Sequence, residues 1–335
     1  MHQKIQLLKL LADSQTHPCE NLAQLMGVNR AAVHQIVDSL IASGIAVTVL
    51  PSDNYQLTHP IELLDRATIE AVMDERSRSL LTDLEILEDV DSTNLHLMRK
   101  AKNGAVSGYA CLAEQQHAGR GRHGKNWVSP FACNIYLSLL WRMSARPLPL
   151  STLSLLMGVA VAHALQVIGV TDIALKWPND VLWRGRKLAG ILIEMASETT
   201  GQRHAVIGVG LNVAMPAKHA ADIDQPWIDV HSILQNKTVH RNRFAGVILQ
   251  HLLVALDNLQ SISPAECLKE WEKFDVLKGQ LITLRLHDQI CQGVALGVDA
   301  KGALLVNHAG IVKRYQYGEV SLARVHAHAA PLVGC

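Results

Sequence analysis

The chain lacks the signals of a secreted or metal-stapled protein. Its six cysteines, at 19, 111, 133, 267, 291 and 335, include no C-x-x-C pair. That spacing argues against zinc and against a disulfide framework, so reduced thiols of a cytoplasmic protein are expected. The opening Met1-His2-Gln3-Lys4 leads into no apolar run with a small-residue cleavage site, so no secretory signal is expected. Net charge is only +1, so no global field calls for nucleic acid or a membrane surface.

Charge of either sign is missing from Pro147 to Thr171, 25 residues that meet the length of a membrane span. Pro147, Pro149, four hydroxyls, His163 and Gln166 dilute it. Leu153, Met157, Ala160, Val161, Ala164, Leu165 and Ile168 have helical spacing, with Leu155 and Val159 on the other side. A helix apolar nearly all round is a buried core helix, so no membrane contact is expected.

Acids are missing over a longer stretch. From Gly119 to Thr171 there is no Asp or Glu, while Arg120, Arg122, Lys125, Arg142 and Arg146 are positive. The segment Gly119-Arg120-Gly121-Arg122-His123-Gly124-Lys125-Asn126-Trp127 opens this stretch. Glycine lets backbone N–H groups converge on an anion, and the cations add charge there. Gly119, Gly121 and Gly124 fit the dinucleotide pattern G-x-G-x-x-G, but Pro130 follows and the acid required about 20 residues on is absent. Gly119, Gly124 and Lys125 fit most of a phosphate loop, but Asn126 replaces the magnesium-binding hydroxyl. A cationic loop between strands remains, suited to a small anion.

A length of 335 residues accommodates two or three domains. Residues 1–64 read as a winged helix-turn-helix. Gly27 supplies the turn, Asn29 caps the next helix, and Ala32, Val33, Ile36, Val37, Leu40 and Ile41 form its buried stripe. Arg30, Ala31, His34 and Gln35 face outward, where a recognition helix meets a DNA groove. Cations are scarce over residues 1–60, where Lys4, Lys9 and Arg30 stand against Asp13, Glu20, Asp38 and Asp53. Residues 65–274 interleave strands and helices without strict βαβ order, which predicts a mixed α/β sheet. Residues 275–335 carry five short strands, which suggest a small β-barrel.

The segment Ala113 to Arg122 closely resembles the biotin-loop signature of biotin protein ligases. Further matches follow in the family's order: Asp91-Ser92-Thr93-Asn94, Lys176-Trp177-Pro178-Asn179-Asp180, Arg186 to Leu192, and Gly208-Val209-Gly210-Leu211-Asn212. Five motifs and the flanking regions make the resemblance nearly full-length, to the bifunctional bacterial type that also represses the biotin operon. It implies an N-terminal winged helix-turn-helix, a class II synthetase-like central catalytic domain and an SH3-like C-terminal barrel. It implies a ligase that uses ATP and Mg2+ to form biotinyl-5'-AMP, then transfers biotin to a lysine of a biotin carboxyl carrier protein. Operator DNA and a ligand-bound homodimer are the further partners implied.

Site residues follow motif by motif. Lys187, Arg120 and Arg122 are the expected catalytic cations. Ser92, Thr93, Asn94, Gln116, Gly119, Arg120, Arg122, Trp127, Lys187, Gly190, Leu192, Gly208 and Gly210 are expected to hold biotin. Arg122, Lys125, Lys176, Asn179, Asn212 and Trp227 are expected at the nucleotide, and Asp180 at the metal. His123 stands where the family commonly has another arginine. Two other readings compete: a ligand-sensing DNA-binding regulator without catalysis, and a lipoate ligase.

Overall fold

The computed structural model describes residues 2–58, 60–143, 148–197, 203–235, 239–259, 263–286 and 289–323. Arg146, Pro147, Cys335 and the end of the expected third domain lie outside the described residues.

Helices α1 (His2–Leu11), α2 (Cys19–Met26) and α3 (Arg30–Ala42) pack with a small sheet. Its strands are β1 (His17–Pro18), β2 (Val47–Leu50) and β3 (Asn54–Leu57), in order β1-β3-β2. Gly27 ends α2 at φ 64°, a left-handed cap that glycine adopts without strain. Asn29 Oδ1 accepts from the Ala32 N–H at 2.8 Å and starts α3. Leu7, Leu8, Leu11, Leu22, Val33, Val37 and Leu40 fill this core. Ile41, expected in the buried stripe, is exposed, because it falls in the last turn of α3, past the core.

The segment after Leu64 is not a loose linker. Asp65 and Asp74 cap α4 (Arg66–Val72) and α5 (Glu75–Leu80), and both helices pack on α10 (Arg241–Asn258). The central sheet has seven strands: β4 (Asp83–Leu87), β5 (Tyr109–Ala113), β6 (Ile135–Arg142), β7 (Ile173–Lys176), β8 (Asp180–Trp183), β9 (Arg186–Ser197) and β10 (Arg203–Leu211). Their order is β4-β5-β6-β10-β9-β8-β7, with β4–β5 parallel and the rest antiparallel.

Side chains alternate between the two faces of this sheet. Ala110, Leu112, Leu139, Ala205 and Ile207 enter the main core, shared with α7 (Leu150–Val167) and α10. Cys111, Leu140 and Val206 point the other way, against Leu97 and Ala101 of α6 (Thr93–Lys102). Helix α7 is the one described helix long and apolar enough to cross a membrane, and 72% of it is buried. It is the core helix expected. Short α8 (Ala217–Ala220) and α9 (Val230–Leu234) follow β10, and α11 (Pro264–Glu272) follows α10.

Strands β11 (Leu281–Leu286), β12 (Gln289–Val298), β13 (Leu304–His308), β14 (Ile311–Tyr315) and β15 (Glu319–Leu322) form an antiparallel sheet in order β14-β13-β12-β11-β15. The expected barrel is not closed by hydrogen bonds among the described residues, since β14 and β15 sit at its two ends. Yet only residues 316–318 join these two strands. That chain reaches at most about 14 Å, while four interstrand gaps of a flat sheet need about 19 Å. The sheet therefore curls, and the barrel character survives as curvature. Among the described residues Cys19, Cys111 and Cys133 are free thiols.

The first and central regions are joined by more than the chain. Phe131 and Ala132, which follow the cationic loop, are buried in the core of α1–α3. The buried Glu114 carboxylate accepts from the Leu64 N–H and, at 2.9 Å, from Arg241 Nη2.

Candidate active site

The sheet face that carries α6 opens into a cleft of about 950 Å³, bounded by the cationic loop and by β11 and β15. Its two ends differ in chemistry.

One end is a polar floor. Helix α6 begins after Ser92, but the Ser92 side chain makes no capping bond. Asp91 serves the helix start instead: its Oδ1 accepts from the Ser92 N–H at 2.7 Å, and both its oxygens accept from Arg99. The Arg99 hydrogen bonds lower the Asp91 pKa to about 2, against the pull of burial. The hydroxyls expected as ligand contacts are thus not spent on the helix end. Thr93 donates to Gln116 Oε1 from its N–H at 2.9 Å and its hydroxyl at 3.1 Å. Gln116 Nε2 donates to Ser129 Oγ at 2.9 Å. Ser138 Oγ lies 2.7 Å from Thr93 Oγ1 and 2.6 Å from Asn94 Oδ1. Each group is held by another, so the floor is ordered before any ligand arrives.

Glycines let two side chains lie on the sheet. A Cβ at Gly208 would meet Asn94 Oδ1 at 2.3 Å, and one at Gly210 would meet Trp127 Cε2 at 2.4 Å. Gly190, opposite Gly210 across β9 and β10, brings the same indole within 3.0 Å of its ideal Cβ. Trp127 therefore forms a flat apolar wall in mid-cleft. Lys187 Nζ stands 5.4 Å from the indole centroid.

The other end is cationic. Asp180 Oδ1 lies 2.8 Å from Lys187 Nζ, and Oδ2 lies 2.8 Å from Lys176 Nζ. Burial raises the Asp180 pKa, but the two ammonium groups outweigh it and hold it below the usual carboxylate range. Burial lowers the Arg122 pKa, with Asp180 and Glu319 pulling it back. Arg122 Nη1 is 3.4 Å from Asn179 Oδ1 and 3.5 Å from the Gly318 carbonyl. Lys125 Nζ pairs with Glu319 Oε2 at 2.9 Å, so the loop touches the C-terminal sheet.

The loop itself is a small hairpin. Gly121 N–H donates to the Lys125 carbonyl at 2.6 Å, and Trp127 N–H to the Gly119 carbonyl at 2.9 Å. A single 3-10 turn covers Arg122–Gly124, and no helix follows it. The phosphate-loop and dinucleotide readings are both excluded by that geometry.

Among the described residues no three His, Cys, Asp or Glu side chains gather to hold a metal. Each Asp180 oxygen faces an ammonium, so the residues present do not fit the metal role expected of Asp180. A magnesium ion fits this cleft as a companion of nucleotide phosphates rather than in an all-protein cage.

The sequence profile of the Biotin/lipoate A/B protein ligase family matches residues 87–212, and that of the Biotin protein ligase C terminal domain matches residues 279–323. The bifunctional ligase/repressor BirA of Escherichia coli strain K12 is 36% identical over 318 residues, covering 95% of this chain and 96% of that protein. The chain belongs to the biotin protein ligase family. A biotin--[acetyl-CoA-carboxylase] ligase of Mycobacterium tuberculosis is 32% identical, covering 77% of this chain and 98% of its own length. The Aquifex aeolicus biotin protein ligase, solved with biotin and ATP, superposes with a TM-score of 0.61 at 28% identity, covering 73% of this chain and 100% of its own.

Most of the expected ligase residues line the cleft: Ser92, Thr93, Asn94, Gln116, Arg120, Arg122, Lys125, Trp127, Lys176, Asn179, Asp180, Lys187, Gly190, Leu192, Gly208 and Gly210. Three do not. Gly119 closes the loop, its ideal Cβ falling 2.4 Å from the Trp127 carbonyl. Asn212 is buried, and its amide donates to the Lys187 carbonyl at 3.4 Å and the Ile228 carbonyl at 3.2 Å. Trp227 pairs by backbone beside Lys187, and its neighbours Gln225 and Pro226 line the cleft in its place. Arg120 lines the floor end, with Nη1 3.0 Å from Glu194 Oε1, away from the paired lysines.

Several cleft residues were not foreseen. Thr283 and Arg285 of the C-terminal sheet line the cleft, while Ser129 and Ser138 stand outside the lining and hold Gln116, Thr93 and Asn94. Arg285 sits in an alternating strand, where its charge alone could have marked it. Nothing in the sequence marks the serines.

On the outer face of α3, Arg30, Ala31 and Gln35 are exposed. Arg30 pairs with Asp53 in the turn between β2 and β3. His34 is half-buried, with Nδ1 2.5 Å from Tyr55 Oη and Nε2 3.6 Å from Asp53 Oδ2.

Proposed function

We infer that this cleft ligates biotin in two steps. The chain is an ATP-dependent biotin protein ligase by family. The biotin carboxylate attacks the ATP α-phosphorus, pyrophosphate leaves, and biotinyl-5'-AMP forms. The ε-amine of a lysine on a biotin carboxyl carrier protein then attacks the mixed anhydride and releases AMP. Both steps move negative charge around one phosphorus, so cationic clamping and positioning suffice as catalysis.

The observation that carries this reading is the cleft's gradient, from paired amides and hydroxyls, past an indole wall, to paired lysines. Ser92, Thr93, Asn94 and Gln116 suit the ureido ring. Trp127, Gly190, Leu192, Gly208 and Gly210 suit the apolar bicycle and tail. Lys187 suits the reacting carboxylate and phosphate. Lys125, Lys176, Arg122 and Asn179 suit the nucleotide, with magnesium carried on its phosphates.

The test is incubation with ATP, magnesium, labelled biotin or labelled lipoate, and a carrier domain. Covalent biotin on the carrier is the expected result. Label from lipoate alone identifies a lipoate ligase. No transfer by folded protein that still binds biotin identifies a sensor.

A second activity is favoured by the exposed face of α3. Three helices and a small antiparallel sheet in residues 1–64 support the winged helix-turn-helix reading, and the Escherichia coli relative is named a ligase/repressor. The proposed division is 1–64 for DNA, 65–274 for catalysis and 275–335 for the C-terminal domain. The repressing form is a ligand-bound homodimer on operator DNA, in the cytoplasm.

A further inference from the structure

Strand β9 turns alternate residues toward the cleft face. Gly190 and Leu192 line the cleft, and Glu194 is next in the same row. Its neighbours on β10 are Gly210, Gly208 and Val206, in register. Glu194 therefore stands at the floor end, just beyond the lining, where the sequence motifs assign nothing.

Its two oxygens serve two different elements. Oε2 accepts from Asn94 Nδ2 at 3.0 Å, and Oε1 accepts from Arg120 Nη1 at 3.0 Å. Asn94 is buried and lies so close to Gly208 that a Cβ there would overlap it. Its Oδ1 accepts from Ser138 Oγ at 2.6 Å, and its one amide nitrogen donates to the Leu192 carbonyl at 3.2 Å as well as to Glu194, the one side chain that accepts from it. Arg120 opens the cationic hairpin, bridged to Asn126 across it.

We propose that Glu194 is a positioning residue for the ligation reaction, acting through Asn94 on the floor and through Arg120 on the loop. One carboxylate orients the amide that meets the ureido ring. The same carboxylate parks the loop arginine while no anion is present. When a negatively charged adenylate fills the cleft, Arg120 has a second anion to choose, and the loop can transfer from Glu194 to the ligand. The floor stays oriented, because Oε2 does not let go of Asn94. The proposal rests on the ligase reading above.

A glutamine cannot reproduce this. It offers one oxygen and one NH2 group, so one of its two partners faces a donor with a donor. In Glu194→Gln the KM for biotin should rise about tenfold, the usual cost of one charge-assisted hydrogen bond. The kcat at saturating biotin should stay within about threefold. A merely structural defect would not divide the effect in that way. Hydrogen exchange across residues 119–127 of the ligand-free protein should quicken. Arg120→Gln opens the same contact from the other side and should quicken that exchange too, which keeps the test intact if the Glu194 variant does not fold.

The exchange arm needs no turnover. Wild-type protein that fails to label a carrier overturns the ligase reading and leaves the exchange result standing on its own. A biotin KM within about twofold of wild type overturns the floor role. Unchanged ligand-free exchange in both variants overturns the loop role.

Discussion

Lys187 and Lys176 share one carboxylate, with an ammonium 2.8 Å from each oxygen of the buried Asp180. The pair carries a net positive charge, and Asp180 aims both cations at the same part of the cleft. A preoriented cation costs no reorganisation when charge develops on phosphorus. Lys187→Ala should therefore cut adenylate formation about 100- to 1,000-fold while leaving the fold intact. Pyrophosphate release with biotin and ATP is the measurement. A rate within about threefold of wild type moves the clamp to Lys176.

Gly208 is a second pressure point. Its ideal Cβ falls 2.3 Å from Asn94 Oδ1 in a fully packed floor. Gly208→Ala should displace Asn94 and weaken biotin binding at least about tenfold, since small misplacements in a site are costly. Titration calorimetry with biotin reads this directly. Unchanged affinity would remove Asn94 from the biotin contacts.

The cationic hairpin should tighten on its ligand. Without ligand it is held by the Gly121 and Trp127 N–H bonds and by contacts to Glu194 and Glu319. Partial protection of those two amides is expected in the ligand-free protein. Exchange across 119–127 should slow further with biotin and ATP. Equal exchange in both states refutes the closing-lid role.

Much of this was legible in the sequence because local patterns carry it. The apolar spacing of Leu153 to Ile168 marked α7, and Gly27 with Asn29 marked the turn before α3. The motif glycines 190, 208 and 210, expected to hold biotin, line the cleft, though Asn94 and Trp127 rather than open space lie against them. The rest depends on which distant residues meet. Glu194 reads as an ordinary polar position in a strand until β9, α6 and the loop converge on it. Asn212 carries a motif position yet is spent on holding the 226–228 segment. At Trp227 it is the backbone that pairs with Lys187, and Gln225 and Pro226 line the cleft beside it. Hydrogen-bonded barrel closure is absent among the described residues, because strand counting does not fix which edges pair.

Acid should remove one stabilising contribution at the start of α6. The Asp91 pKa is lowered from 3.8 to about 2 in the folded chain. A depressed carboxylate stabilises the fold above its unfolded pKa and stops doing so as pH falls through its folded pKa. The stability gap between wild type and Asp91→Asn should be full above about pH 4 and vanish near pH 2. Urea unfolding at a series of pH values measures it. A gap independent of pH would show that Arg99 does not hold Asp91 in solution.

DNA binding should be weak in monomers and should need the ligand-bound dimer. Lys4, Lys9 and Arg30 face four acids in residues 1–58, and Arg30 is already paired with Asp53. Phosphate contacts dominate affinity, so the salt slope should be shallow. Asp53→Asn should raise affinity several-fold, about one phosphate contact's worth, by releasing Arg30. Titration of biotin-operon DNA against salt, with and without biotin and ATP, is the measurement. Tight binding by ligand-free monomer overturns the dimer requirement, and no binding in any state removes the repressor role.

Phe131 lies four residues beyond the indole wall, yet its ring belongs to the core of α1–α3. A shortened enzyme beginning after residue 64 would not be a clean excision. It would strand a phenyl ring in water and leave a hole of matching shape in the discarded piece. Burying such a ring is worth about 1.5–3 kcal/mol, so both fragments should be less stable than the parent. Evolution cannot shed this headpiece by cutting the chain at one point; the socket and its plug must be rewritten together.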